Sequence, residues 1–519
     1  MGLPVQTKLT RLYQGEAPRV LDLFSGCGGI SLGFKRAKCE ILGGLEIDPD
    51  AAQVFARNLL GWSDSDLVTR TCERDIVKTD PRDLVRDLGE EDPELAVDFL
   101  VGGPPCQAFA RIGRAKLRAE RKKLEEEDPD RQIEDARVGL YAQYLRYVKA
   151  LKPVALFMEN VPEVIRFQGR NIAEEIAEAL EALDYRVSYS LLNAADYGVP
   201  QRRIRLCLLA WHKDFREDPP SLPPPSHHDR DLPDGYYAIL GGRTRQAPSG
   251  RQAKLKLVPG AATFGGRRYH RPPRNEAAPR PVSVHDAIGD LPTSTAHHAE
   301  DPLLPDYLAK AAGPAWKVTA PSAYGRDMRA GWLGGSNASR VADHKYRHTK
   351  RDYRIFCQMK PGDEYPRAHA IAVALHDERL QRREQELGCP LAEDSDEHKK
   401  LLKDWVPPYP HDRFPNKWWK MDADQPSRTL TAHLSHDTYS HIHPDSKQAR
   451  MITVREAARL QSFPDDFVFT KTMNPAFRMI GNAVPPLLAF AVADHLVGQI
   501  RAMASQEGTV EEMALIASK

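Results

Sequence analysis

The sequence predicts an α/β protein: a Rossmann-like, doubly wound, mostly parallel sheet with a second, irregular domain attached. Three observations predict this. Short apolar runs recur, each followed by a turn and then a helical pattern, the order of the βαβ units that build parallel sheets. The first turn, Ser25-Gly26-Cys27-Gly28-Gly29, is glycine-rich, and a carboxylate, Glu46, closes the next strand about twenty residues on. At Pro219-Pro220-Ser221-Leu222-Pro223-Pro224-Pro225 the alternation stops, as it does at a semi-rigid connection.

In chain order, Arg19 to Phe24 is the first strand, Ile30 to Lys38 a helix with apolar Ile30, Leu32, Phe34 and Ala37, Glu40 to Leu45 the second strand, and Asp50 to Leu60 the second helix. In such folds the glycines admit a ligand to the backbone and the carboxylate takes ribose hydroxyls. Glycine turns also arise for packing alone, and at this point both readings stand. An acidic turn, Glu73-Arg74-Asp75-Ile76, follows. Val97 to Val101 reads as a buried strand that Gly102-Gly103-Pro104-Pro105 stops abruptly, leaving Cys106-Gln107 at its carboxyl end, where open sheets bind ligands. Taken alone, Cys106 is a structural cysteine in a loop; the rest of the chain reverses that reading. Arg114 to Arg131 carries charges at i,i+4 spacing and reads as a solvated helix. Tyr141 to Leu151 is a helix, and Pro153 to Met158 is a strand ending on Glu159-Asn160-Val161-Pro162. Ile172 to Leu183 is a helix. Tyr185 to Leu192 and Ile204 to Trp211 are strands flanking Tyr197-Gly198-Val199-Pro200-Gln201-Arg202-Arg203.

These patterns divide the chain into 1–212, 213–424 and 425–519, the last returning to the first through a final helix, Leu487 to Met503. Between Gly241 and Val282 stand ten basic residues, Arg243, Arg245, Arg251, Lys254, Lys256, Arg267, Arg268, Arg271, Arg274 and Arg280, against one acid, Glu276. Such a local polycation suits phosphate contact, although basic loops are often only solvated. Asp377 to Trp405 reads as a charged helical insertion, Val406 to Pro410 as a hinge, and Thr453 to Gln461 as a capped helix start. His433, His436, His441 and His443 are irregularly spaced and lack Cys or carboxylate partners, so they read as a loop cluster and no metal site is expected.

Composition narrows the class. The chain has 519 residues, 41% hydrophobic and 28% charged, with a net charge of +1, so any nucleic-acid surface is a local patch. None of the seven cysteines is paired at C-x-x-C spacing, which argues against zinc and disulfide frameworks. No uninterrupted apolar run approaches the roughly 18 residues of a membrane span. A cytosolic protein is expected, or a nuclear one if the host has a nucleus.

Six strings in order resemble the DNA cytosine-5 methyltransferases: Asp22-Leu23-Phe24-Ser25-Gly26-Cys27-Gly28-Gly29, Gly103-Pro104-Pro105-Cys106-Gln107, Glu159-Asn160-Val161, Gln201-Arg202-Arg203-Ile204-Arg205, Arg455-Glu456-Ala457-Ala458-Arg459-Leu460-Gln461 and Gly481-Asn482-Ala483-Val484-Pro485-Pro486. They cover roughly 18–212 and 425–500. The middle, 213–424, is where that family keeps its variable target-recognition domain. The resemblance implies a methyltransferase sheet and methyl transfer from S-adenosylmethionine to C5 of a flipped-out cytosine in double-stranded DNA, through a Cys106–C6 adduct. Glu159 would steady the ring at N3 and N4, Arg205 the cytosine carbonyl, and Arg203 the backbone and loop. Phe24 would lie on the adenine, Glu46 would take the ribose, and Asp75 the adenine amino group. Ser25, Gly26, Cys27, Gly28, Gly29, Ile47, Ile76, Pro105, Leu140, Asn482, Ala483 and Val484 would line the remainder. Gln107, Arg243, Arg245, Arg267, Arg268 and Arg271 would meet DNA. Ala110 stands where the family often has Ser, and the loop from Arg111 to Arg137 is longer than usual; both bear on loop closure. The implied setting is a cytoplasmic, nucleoid-associated monomer protecting host DNA in restriction-modification or phage defence, with any cleavage belonging to a separate nuclease. A transfer-RNA methyltransferase of the same fold and a catalytically idle DNA-binding module are the alternatives. The long basic middle segment favours DNA over the first, and the presence of Cys106, Glu159, Arg203 and Arg205 argues against the second.

Overall fold

Six strands form one sheet in the order β2-β1-β3-β4-β6-β5. They are β1 (Arg19–Leu23), β2 (Glu40–Leu45), β3 (Phe99–Gly102), β4 (Ala155–Asn160), β5 (Tyr185–Asn193) and β6 (Ile204–His212). The structure is a computed structural model, and it describes residues 3–69, 73–105, 140–167, 170–230, 266–294, 319–334, 341–349, 351–412, 414–469 and 472–517. Cys106, Gln107, the Arg114 to Arg131 stretch, Arg243, Arg245, Arg251, Lys254 and Lys256 lie outside the described residues.

The first four strands in this order are parallel, whereas β6 runs antiparallel to both β4 and β5. The sequence pattern does not distinguish these directions, but the connection does. A parallel pair needs a crossover of a dozen residues or more. Only a 3₁₀ turn, Ala194–Tyr197, and a few further residues separate β5 from β6.

Both faces of the sheet are covered. On one, Leu21, Leu23, Leu100 and Leu156 pack with Tyr144, Val148, Ile176 and Leu180 of the helices Leu140–Leu151 and Ile172–Glu181. On the other, Val20, Phe99, Val101 and Phe157 meet Phe34 of the Gly29–Arg36 helix and Leu488, Val492 and Leu496 of the Pro486–Ala517 helix. That last helix contributes most of the one window among the described residues apolar and long enough to cross a membrane, and 67% of that window is buried. Its apolar residues are those packed on the sheet. An N-terminal helix, Leu3–Tyr13, joins the same face through Val5, Leu9 and Leu12. Its buried Lys8 donates to the carbonyls of Leu151 and Lys152, at 2.9 and 3.0 Å.

The chain divides into two compact units: 1–199 with 203–281 and 483–519, and 200–202 with 282–482. Hydrogen bonding accounts for part of this division. The segment around Tyr269 adds to the free edge of β5: the Tyr189 N–H donates to the Arg268 carbonyl at 3.1 Å and the His270 N–H to the Tyr189 carbonyl at 2.9 Å. Residues 203–281 therefore stay with the sheet.

The second unit has its own core, in which Tyr353, Phe356, Tyr365, Ile371, Trp418 and Met451 are buried. The charged insertion forms the end of one helix, Tyr365–Leu387, and a second, Asp396–Trp405. Thr453 and Glu456 make a reciprocal capping box on Val454–Leu460. Within the Arg455 to Gln461 string the arginines are internal struts. Arg455 donates to the carbonyls of Pro464 and Phe467, both at 3.0 Å, and Arg459 pairs with Asp465 and Asp290. The four histidines differ in setting: His441 and His443 are buried, while His433 is exposed, with its ring centroid 5.5 Å from that of His436 and its Nε2 3.3 Å from Asp437.

Candidate active site

Register places the sequence strings of the first unit side by side. Leu23 pairs with Gly102, and Gly102 with Met158. The turn after β1, the turn after β3 and Glu159 on β4 therefore occupy one level at the carboxyl ends of parallel strands. The strand order also reverses here, between β1 and β3, which is where doubly wound sheets open a crevice. Gly102 must be glycine, since a Cβ would come within 2.4 Å of the Leu23 carbonyl oxygen.

Glu159 opposes Cys207 on β6, and Arg205 stands two residues before Cys207, so both side chains rise from one face. Arg205 Nε lies 2.9 Å from Glu159 Oε1. The pair is largely buried, with side chains 14% and 12% exposed. Arg203 is almost fully buried. Burial raises the Glu159 carboxyl above the usual glutamate range, against the pull of Arg205 and Arg203. Two charged guanidiniums thus flank a carboxyl that binds its proton more tightly than an ordinary glutamate does.

Asn160 had no role from the sequence. Its Nδ2 donates to the Pro104 carbonyl at 3.1 Å, and its Oδ1 accepts from the Val161 N–H at 2.9 Å. It ties the turn that leads to Cys106 to the strand end that carries Glu159. Only its place beside Glu159 at a strand end could have signalled this. Pro104 and Pro105 line a small cavity of about 10 Å³ with Tyr141, Val164 and Ile176. The described cysteines near the sheet are no nucleophiles: burial pushes the Cys27 and Cys207 thiols up.

The turn after β1 forms a second centre. Phe24 sits at φ 59°, a conformation rare for a residue with a side chain and one that clusters at functional sites. Glu46 faces the turn. Its Oε2 accepts from the Gly26 N–H at 2.9 Å, and its Oε1 accepts from Ile47 and Asp48 at 2.9 and 2.8 Å. Burial nevertheless raises its pKa, with those hydrogen bonds opposing. The Arg74 N–H donates to the Glu46 carbonyl at 2.6 Å, which stitches the Asp75 turn beside it. Ile76 is buried in the core, whereas Ile47 is 66% exposed. Ser25 and Glu46 line an open cavity of about 330 Å³ with Phe55, Trp62, Arg74 and Leu88, four residues that the sequence pattern does not single out. Gly29 receives the chain's final turn so closely that a Cβ would lie 2.3 Å from the Val484 carbonyl oxygen and 3.3 Å from Ala483 Cβ. Leu140 starts its helix partly buried against the core. Asn482 ends the Met473–Asn482 helix in the other compact unit.

The basic residues divide. Arg267 is 79% exposed at its side chain, and Arg271 is exposed. Arg268 is not available to a phosphate. It is buried, its Nε donates to Glu181 Oε1 at 2.6 Å, and it also pairs with Glu174, contacts that raise its pKa. We therefore expect Arg267→Gln with Arg271→Gln to weaken binding to every duplex. The slope of log affinity against log salt should fall by up to about two. Arg268→Gln should instead lower stability by about 2 kcal/mol through its stranded carboxylates. Salt-dependent binding and thermal melts of the same proteins check both.

The C-5 cytosine-specific DNA methylase family model matches residues 18–252 and 358–498. A protein of Oceanobacillus iheyensis named as a type II methyltransferase, M.OihORF3336P, is 38% identical over 94% of this chain and 96% of its own length. The type II methyltransferase M.AgeI of Thalassovita gelatinovora is 28% identical over 92% of this chain and 98% of its own. Among solved structures, a prophage-encoded DNA modification methyltransferase from E. coli shares the fold, with a TM-score of 0.54 at 20% identity, over 93% of this chain and 99% of that one. With the strings at the sheet's carboxyl edge and a family match over most of the chain, this protein belongs to the C-5 cytosine-specific DNA methylase family and is a DNA (cytosine-5)-methyltransferase.

Proposed function

We propose that the chain transfers a methyl group from S-adenosylmethionine to C5 of a cytosine flipped out of a specific duplex sequence, through a covalent Cys106–C6 adduct. The observation that carries this reading is the buried Glu159–Arg205 pair, set level with the turn that leads to Cys106. Cytosine C5 is a weak nucleophile. When the Cys106 thiolate adds to C6 and Glu159 gives its proton to N3, the ring becomes an enamine whose C5 attacks a methyl group. Arg205, hydrogen-bonded to Glu159, supplies fixed positive charge beside the ring carbonyl, and Arg203 holds the strand end from inside. Loss of the C5 proton then expels the Cys106 thiolate, and return of the N3 proton to Glu159 restores the neutral aromatic ring and the acid. A stacked base cannot be reached by these groups, so it must leave the duplex.

The residues around the first turn fit the donor. Glu46 keeps lone pairs for a ribose diol after its three backbone contacts, and Phe24 and exposed Ile47 offer apolar surface to a planar base. Bound there, S-adenosylmethionine supplies an electrophilic methyl group. Arg267 and Arg271 suit phosphate contact, and the second compact unit, 282–482, suits base readout. The type II methyltransferase relatives, matched over 96% and 98% of their lengths, favour protection of host DNA in restriction-modification, and we infer a cytoplasmic monomer. Transfer of labelled methyl from S-adenosylmethionine to duplex DNA, with transfer RNA as the competing acceptor, tests the reading. Label in C5 of duplex cytosine is expected; label in transfer RNA alone overturns the substrate, and label in neither overturns the activity.

A further inference from the structure

Of the described Phe, Tyr and Trp side chains, two stand exposed, Tyr409 at 41% and Phe414 at 60%, and one loop carries both. It runs from the end of the Asp396–Trp405 helix to Trp418, in the second compact unit. The loop is anchored. The Tyr365 N–H donates to the Pro415 carbonyl at 3.0 Å, and the Tyr365 hydroxyl donates to the Tyr409 carbonyl at 2.8 Å. The Lys417 N–H closes a turn onto the Phe414 carbonyl at 3.1 Å. Trp418 then turns into the core, stacked on Tyr439 with ring centroids 4.6 Å apart. Pro408, Pro410 and Pro415 narrow the conformations open to the loop. Two aromatic faces are thus held in water by a backbone already ordered, which lowers the entropy cost of a contact made there.

Charge and connection point to the occupant. Lys417 Nζ lies 3.5 Å from the centre of the Tyr409 ring, and Arg367 is exposed on the first turn of the Tyr365–Leu387 helix that anchors the loop. Asp412 is an exposed acid in the loop itself, while Glu364 is paired with Arg428. Cations beside uncovered aromatic rings suit a polyanion that carries flat bases. The same residues lead back to the catalytic string. The Arg428 guanidinium lies over the Trp419 ring, 4.5 Å from its centre, and Ser427 before it forms a parallel bridge with Gln201. The Arg202 N–H donates to the Ser427 carbonyl at 2.9 Å, and Thr429 Oγ1 donates to the Arg202 carbonyl at 2.7 Å. Through Glu364, Arg428 and Ser427 the loop is joined to the segment that leads into β6.

We propose that the Tyr409–Lys417 loop reads the target duplex: Phe414 and Tyr409 supply apolar contact to base edges of the recognised sequence, while Lys417 meets an adjacent phosphate. The inference rests on the duplex-DNA reading above and adds the residues that discriminate one sequence from another. It differs in kind from the contact assigned to Arg267 and Arg271. A phosphate contact favours every duplex alike and weakens with salt. Loss of an aromatic base contact costs only the matching sequence and leaves the salt slope alone.

Anisotropy titrations of the full chain on two duplexes test this. One carries the sequence that the wild-type enzyme methylates in the DNA of expressing cells, and the other is its scrambled counterpart. Phe414→Ala should bind the first about tenfold more weakly, and the double variant with Tyr409→Ala more weakly still, with the scrambled duplex and both salt slopes unchanged. Lys417→Gln should lower affinity for both duplexes and reduce the slope by about one. Phe414→Leu keeps apolar volume and should retain most of the wild-type preference. Phe414 is exposed, so its removal leaves no cavity, and melting temperature and S-adenosylmethionine affinity should hold. Should the alanine variant melt early, Phe414→Gln repeats the test. Wild-type preference between the duplexes in these variants overturns the proposal. So does an equal loss on both duplexes, which would mark the loop as a phosphate contact alone. Wild-type self-association, read by sedimentation, that Phe414→Ala abolishes while duplex preference persists would assign the loop to a second copy of this chain and overturns it too. If wild type methylates transfer RNA and no duplex, the duplex reading fails. If it methylates its duplex and the variants discriminate as it does, this inference fails alone.

Discussion

Replacing Cys106 by alanine is expected to abolish methyl transfer, a loss on the order of 10⁶-fold, the size seen when a covalent nucleophile is removed. No described neighbour is placed to substitute. Among the described cysteines, Cys27 feels the charge of Glu46 and Cys207 that of Glu159, and burial holds both as thiols. The backbone that presents Cys106 does not depend on its sulfur. Gly102 is fitted against Leu23, and Asn160 holds the Pro104 carbonyl, so S-adenosylmethionine binding and thermal stability should stay close to wild type. The adduct itself is open to direct measurement. Duplex DNA carrying 5-fluorocytosine cannot lose a C5 proton, so the wild-type protein should stay attached through denaturing electrophoresis and the alanine variant should not. Substantial turnover by Cys106→Ala, or no trapped adduct in wild type, would remove the covalent route.

The sheet was legible in the sequence because buried parallel strands read as short apolar runs and their turns are marked by Gly and Pro. β2 spans Glu40–Leu45, as its run predicts, and β1, β3 and β4 lie within two residues of theirs. The positions of Glu46 and Glu159 were legible for the same reason, since each closes an apolar run, whereas Arg205, the second residue of β6, was marked by the resemblance alone. What stayed hidden depends on partners distant in sequence. The direction of β6 follows from the absence of a crossover helix. The unit boundary near 281 follows from a segment around Tyr269 that pairs with β5 some eighty residues earlier. Arg268 shows the limit of charge counting: composition registers a cation, and only the fold reveals that Glu174 and Glu181 hold it. The N-terminal helix carried a signal in Val5, Leu9 and Leu12 at helical spacing, but Lys8 interrupts it, and a buried lysine that caps two carbonyls is not foreseeable from pattern alone.

Glu159→Gln is expected to lower the methylation rate by about 10²–10⁴-fold, the range spanned by a positioned general acid. Glutamine is the informative replacement. Its amide oxygen still accepts from Arg205 Nε, now 2.9 Å from the carboxylate, so the guanidinium is not stranded in a largely buried site. Alanine would strand it, and lost stability would then obscure lost chemistry. The pH profile separates an acid from a mere hydrogen-bond partner. Activity carried by the protonated carboxyl is fully present below the Glu159 pKa and is lost as pH rises through it. Burial raises that pKa, so the wild-type rate at saturating cofactor should fall above the ordinary glutamate range, and the glutamine variant should lack that limb. Saturating cofactor keeps any pH dependence of donor binding out of the measured rate. Rapid-quench measurement of adduct formation on 5-fluorocytosine DNA places the defect. If Glu159 protonates the ring as Cys106 adds, adduct formation should slow as much as turnover does. A glutamine variant that forms the adduct at the wild-type rate, or that keeps the wild-type pH limb, would assign the proton to another group and leave Glu159 only to hold Arg205.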